Sequence, residues 1–137
     1  MLVDEYLDRF AKAGRVLGLP PATLVEVDGK GAGMAAEAEL LAKSLPSGAM
    51  RVVLDERGAQ LSSPAFAARL GGWRDRAEDV AFVIGGADGL DPGIRDRADF
   101  AISFGAMVWP HMLVRVMLTE QLYRAASILA GGPYHRA

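Results

Sequence analysis

Three short runs of this sequence are apolar without alternation: MRVVLDE (Met50 to Glu56), VAFVIGG (Val80 to Gly86) and FAISF (Phe100 to Phe104). A strand with one face in water alternates polar and apolar residues, so a continuous apolar run suits a strand covered on both faces. Helical segments separate these runs. MLVDEYLDRFAKAG sets Leu2, Val3, Tyr6, Leu7 and Phe10 at a helical period and ends at Gly14. ATLVEV (Ala22 to Val27) reads as a further strand after Pro20-Pro21, and DGKGAG as a glycine-rich loop. MAAEAELLAKSL is a helix of strong helix formers, stopped by Pro46-Ser47-Gly48. Ser63 is the expected N-cap, with Pro64 at the first helical position of a helix reaching about Arg76. DPGIRDRADF should hold a short helix. Pro110 should open a long one through about Leu129, closed by Gly131-Gly132 with Pro133 after it. Alternating strands and helices predict an α/β fold, a parallel sheet with helices on both faces, in one domain over residues 1–137.

Composition excludes several classes. At 137 residues, with 51% hydrophobic and 23% charged, the chain can bury a core and does not read as disordered. Without cysteine there are no disulfides or Cys-ligated metals, and no metal site is expected. A formal net charge of -2 gives no broad electrostatic grip on nucleic acid, although a local basic surface remains open. No apolar run approaches the roughly 20 residues that span a bilayer. The first residues are acidic and amphipathic, unlike a signal peptide. A cytoplasmic protein that does not enter membranes is the expectation.

In open parallel sheets, ligands bind beyond the carboxyl ends of the strands. Three such ends are visible: Leu54-Asp55-Glu56, Gly85-Gly86-Ala87-Asp88-Gly89, and Phe104 to Trp109. GGADG is neither a Walker loop nor the GxGxxG fingerprint, so a tight strand-to-helix turn is the plainer reading. His111, directly after Pro110, is placed to take a proton, and capping or packing accounts for it equally well. Arg115 and Arg124 lie on an aliphatic-rich helix, where Glu120 and Arg124 form a favourable i,i+4 pair. Trp109 suits either core filler or a lid over a flat ligand. The last residues, PYHR, can donate, accept and carry charge, although termini fray by default.

VIGGADGL, then WPHMLVRVMLTEQLYRAASI, then PYHR resemble the RlmH (YbeA) family of SPOUT-class methyltransferases. The resemblance runs from the helix around Tyr6 to the C-terminus and is most specific from Val83 onward. It implies S-adenosylmethionine-dependent methylation of N3 of a pseudouridine in 23S ribosomal RNA, within the ribosome. It also implies a homodimer and a C-terminal trefoil knot, an exception to ordinary topology. By the same resemblance, Leu54, Gly85 and the knot loop Phe104, Gly105, Ala106, Met107, Val108 and Trp109 hold the cofactor. His111 lies beside that loop, and Tyr134, His135 and Arg136 belong to a tail folded over the active site. Arg136 or Arg115 would steady the nucleobase anion or an rRNA phosphate, and His111 or His135 would handle the proton.

Family members begin with a short apolar strand and a loop before the first helix. This chain starts in or just before that helix, so the first strand is expected to be missing, leaving an exposed edge and a core defect. The segment between Val27 and Leu45 also reads as shorter and less basic than in relatives. A non-catalytic ribosome- or RNA-binding remnant of the family is the alternative function. The bare α/β pattern also permits a flavodoxin-like nucleotide-binding domain.

Overall fold

Strand β1 (Met50–Gln60) lies between β2 (Val80–Ile84) and β3 (Phe100–Ser103), and both neighbours run parallel to it. The computed structural model describes residues 2–22, 39, 43–85 and 92–131. These fall into a sheet unit, within residues 24–60 and 79–111, and a helical unit, within residues 1–23, 61–78 and 112–137.

In the sheet unit, consecutive Val52 and Val53 point to opposite faces and are both fully buried. That is the physical content of the unalternating apolar run. On the Val53 face sit Val83 and Ile94, the latter from α3 (Pro92–Asp96), with Leu45, Ala98 and Ala101 packed against them. Polar groups pin the amino ends of the strands. The Met50 N–H donates to the Asp79 carbonyl at 2.8 Å. Asp99 donates its own N–H to the Arg51 carbonyl at 2.8 Å, and its carboxylate accepts the Arg51 N–H at 2.8 Å.

β1 continues beyond the expected end at Glu56. Leu54 and Ala59 both stand opposite Ile102, so Asp55 to Gly58 form a four-residue bulge between two registers. The continuation was hidden because the bulge residues are polar or glycine, which reads as a strand end. Gly58 is there for space: a Cβ would fall 2.6 Å from the Ala101 carbonyl carbon.

The helical unit contains α1 (Leu2–Arg15), α2 (Ser63–Asp75) and all of α4 (His111–Leu129) except its first residue. Its buried side chains include Phe10, Phe66, Leu70, Trp73, Leu118 and Leu122. Leu118, Leu122, Ala125 and Ala126 are spaced to share one face of α4. Tyr6 and Tyr123 meet with ring centroids 6.4 Å apart, and the Arg9 guanidinium lies 5.8 Å from each. The expected Glu120–Arg124 pair is present at 2.8 Å.

Helix ends differ from expectation in instructive ways. Ser62, not Ser63, caps α2 by accepting the Ala65 N–H at 3.2 Å. The Ser63 hydroxyl instead donates to the Gln121 side-chain carbonyl at 2.8 Å. Local pattern could not separate adjacent serines, because the second is claimed by a helix far along the chain. α1 runs one residue past Gly14 and closes at Gly18, whose φ is +76°, with the Leu19 N–H returning to the Gly14 carbonyl at 3.0 Å. Gly131 does the same work after α4 at φ +76°. After α2 the left-handed position is held by Ala77, at φ +55°. The bonds there, Ala77 N–H to Arg74 carbonyl and Glu78 N–H to Trp73 carbonyl, are those of a Schellman motif. Pro110 precedes α4 and is not its first residue.

Of the expected second helix, Glu39, Lys43 and Ser44 are described and helical, with Lys43 and Glu39 paired at 3.6 Å. The expected strand from Ala22 to Val27 lies outside the described residues except for Ala22, which is not in a strand. The Gly86 to Gly89 part of the glycine turn lies outside them too. Among the described residues, no helix is long and apolar enough to cross a membrane.

Two substitutions test these backbone assignments. Gly58→Ala should lower stability by about 2 kcal/mol or more in urea titration, since backbone must move to admit the methyl. Ala77→Gly should raise it by about 1 kcal/mol, since glycine meets no Cβ penalty in the left-handed region. A neutral result for the first, or a loss for the second, would contradict the geometry described.

Candidate binding site at the carboxyl edge of the sheet

A parallel sheet delivers the carboxyl ends of its strands to one edge. Leu54 stands opposite Ile84 on one side and Ile102 on the other. The register therefore brings Leu54, Gly85 and the start of the Phe104–Trp109 loop to that edge together. Leu54, Gly85, Phe104 and Gly105 are half-buried there, and Ala106 to Trp109 are exposed. His111 follows as the first, half-buried residue of α4 and belongs to the same unit. Tyr134, His135 and Arg136 lie outside the described residues.

The loop has a fastened base and an open tip. At the base, Gly105 adopts φ +113°, a conformation natural to glycine. Its N–H donates to the Ser103 hydroxyl oxygen at 3.0 Å. The Trp109 indole N–H donates to the Phe104 carbonyl at 3.4 Å, so this side chain ties the loop's two ends. Trp109 is 40% exposed, which removes the core-filler reading. Met107 and Val108 are 73% and 81% exposed, and no residue from Phe100 to Pro110 is charged. Such a tip offers apolar contact to a flat ligand.

The bulge on β1 supplies the charge. Asp55 is buried, and its carboxylate accepts the Arg57 N–H at 3.0 Å, an Asx-type turn that shapes the bulge. Arg95 of α3 forms an ion pair with the same carboxylate, and the exposed Arg57 guanidinium stands 3.6 Å from it. Burial, the strongest single influence, pushes the Asp55 carboxyl up. The Arg57 N–H and the charges of Arg95 and Arg57 together outweigh it, and the net shift is downward. Glu56 and Arg57, in the same bulge, are exposed.

Asp55 was visible in the sequence only as one of the acids closing an apolar run. Its partner Arg95 lies 40 positions away and left no local signal. Ser103 did leave one: it is the single hydroxyl in the apolar run FAISF. Among the described residues, no cluster of three or more His, Asp or Glu could hold a metal ion.

Because the folded-state carboxyl of Asp55 is held low, the pair stabilises the protein above the unfolded carboxylate range, about pH 3.9. That contribution disappears as pH falls through the lower, folded value. Asp55→Asn should therefore cost about 2 kcal/mol at neutral pH, by removing the negative charge that meets Arg95 and the Arg57 N–H. The gap to wild type in urea midpoints should shrink below about pH 4; a gap independent of pH would show that the charge on Asp55 is irrelevant.

Comparison with known proteins fits this geometry. Residues 1–135 match the family model described as "Predicted SPOUT methyltransferase". The chain is 74% identical over 136 residues to the Ribosomal RNA large subunit methyltransferase H of Paracoccus denitrificans. It is 69% identical to the protein of that name from Ruegeria pomeroyi, and 68% to one from Cereibacter sphaeroides. Each similarity covers 98% of this chain and 88% of the relative. A family match over nearly the full length, on a parallel sheet whose three strand ends converge, leads to one conclusion: the chain belongs to the SPOUT methyltransferase family.

Proposed function

We propose that this protein is an S-adenosylmethionine-dependent methyltransferase that methylates N3 of a pseudouridine in 23S ribosomal RNA within the ribosome. The observation that carries the reading is 64–74% identity, over 98% of the chain, to proteins named Ribosomal RNA large subunit methyltransferase H. The residues at the carboxyl edge fit the cofactor. Leu54, Gly85, Phe104, Gly105, Ala106, Met107, Val108 and Trp109 would hold it, the uncharged tip suiting a flat adenine. The Glu56 and Arg57 side chains are available to its zwitterionic end. When bound, S-adenosylmethionine supplies an electrophilic methyl group on a sulfonium.

The chain's own contribution is mostly positioning, since an in-line displacement depends on alignment. As N3 of the base gains the methyl it must lose its proton. His111 or His135 accepts that proton, and Arg136 or Arg115 steadies the resulting negative charge or a neighbouring phosphate. Tyr134, with His135 and Arg136, closes the tail over the site. In this reading residues 1–137 form one domain with a C-terminal trefoil knot. The chain works as a homodimer in the cytoplasm, where ribosomes are found.

Two measurements test the reading. Calorimetric titration of the purified protein with S-adenosylmethionine should give saturable binding, and ribosomes lacking the modification should then accept a methyl group. Replacing Tyr134, His135 and Arg136 together by alanine should reduce methylation at least about 100-fold while leaving cofactor affinity within a factor of about 3. Full activity in the triple variant would remove the tail from the mechanism, and absence of binding to the wild type would remove the methyltransferase reading itself.

A further inference from the structure

We propose that Ser103 is a positioning residue for the cofactor loop: its buried hydroxyl joins the β1 bulge to the base of the Phe104–Trp109 loop and holds that loop in its binding conformation. The inference rests on the methyltransferase reading and extends it to a residue outside the set expected to touch the cofactor. Ser103 ends β3 and is 5% exposed. Its oxygen accepts the Gly105 N–H at 3.0 Å. Its single proton faces two acceptors, the Gly105 carbonyl at 2.9 Å and the Glu56 carbonyl at 3.1 Å. One side chain thus meets the backbone on both sides of the carboxyl edge: the bulge that carries Glu56 and Arg57, and the loop that carries the apolar tip.

The geometry gives the hydroxyl more to do than satisfy itself. Gly105 is at φ +113°, where glycine has unusual conformational freedom. The space around its Cβ direction is open to 4 Å. Without the hydroxyl, the Gly105 N–H loses its acceptor and the loop base samples more conformations, so ligand binding must pay to order it. Ser103 touches no reacting atom and acts through the loop.

The test compares wild type with Ser103→Ala, Ser103→Thr and a control, Ser62→Ala, which removes the α2 cap in the other unit. Calorimetric titration with S-adenosylmethionine should show a Kd about tenfold higher for Ser103→Ala. Ser103→Thr, which keeps a hydroxyl, should recover most of the affinity. Ser62→Ala should bind like wild type despite its lowered urea midpoint. Amide exchange at Gly105 in the full chain, which needs no cofactor, should accelerate at least about tenfold in Ser103→Ala. In ribosome methylation the KM for S-adenosylmethionine should rise with kcat nearly unchanged. Unchanged Kd or unchanged Gly105 exchange in Ser103→Ala overturns the proposal while the methyltransferase reading stands. So does equal weakening in Ser62→Ala, which would trace the effect to stability. A wild type that fails to bind overturns both, and is told apart by that result alone.

Discussion

Everything at the carboxyl edge is indexed to β1, a strand paired on both sides and buried on both faces. Val52 and Val53 allow no slippage: a one-residue shift would exchange their faces and misalign both neighbours at once. Leu54, next along, is consequently fixed against Ile84 and Ile102. The positions at which β2 and β3 release their chains toward Gly85 and Phe104 follow from that register. Site geometry here is a property of a core strand, inherited by the loops.

What the core strand cannot supply is polar definition, and the bulge supplies it. Asp55 to Gly58 leave the β3 register, and their backbone groups need other partners. Asp55 takes the Arg57 N–H and Ser103 can serve the Glu56 carbonyl, while Gly58 lets the chain return hard against Ala101. Arg95 neutralises the carboxylate that this arrangement buries. Each contact compensates a cost that another creates: the turn demands a buried acceptor, and the acceptor demands a cation. Loss of any one should be felt by the others.

The apolar strands were legible because burial on both faces removes alternation, a signal carried by each strand alone. The helix around Tyr6 and the long helix ending near Leu129 were legible from period and punctuation. Legibility failed where a residue's role depends on a distant partner. Ser63 reads as a cap and is instead claimed by Gln121; Asp55 reads as a strand end and is instead paired with Arg95. The extension of β1 through Gln60 was concealed by four residues that are polar or glycine and break the apolar run. Of the expected site, Leu54, Gly85 and Phe104 to Trp109 could be listed from strand-end logic and family resemblance, and their common edge follows from the register. Ser103 as the link between them emerges only in the folded chain, because a lone serine in an apolar run specifies a hydrogen bond without naming its partner.

The loop from Phe104 to Trp109 divides two requirements that conflict in a single surface. Apolar side chains that must meet a ligand have to be left exposed, and exposure ordinarily means mobility and a hydrophobic penalty. Here the exposed side chains Met107 and Val108 are bracketed by bonded positions, Gly105 to Ser103 before them and the Trp109 indole to Phe104 after them. The bracket restricts the backbone while leaving the tip uncovered, so less ordering entropy remains to be lost when something apolar is laid against it. A loop anchored in this way belongs at the edge of a rigid sheet, since the same hydrogen bonds hung from a mobile base would fix nothing.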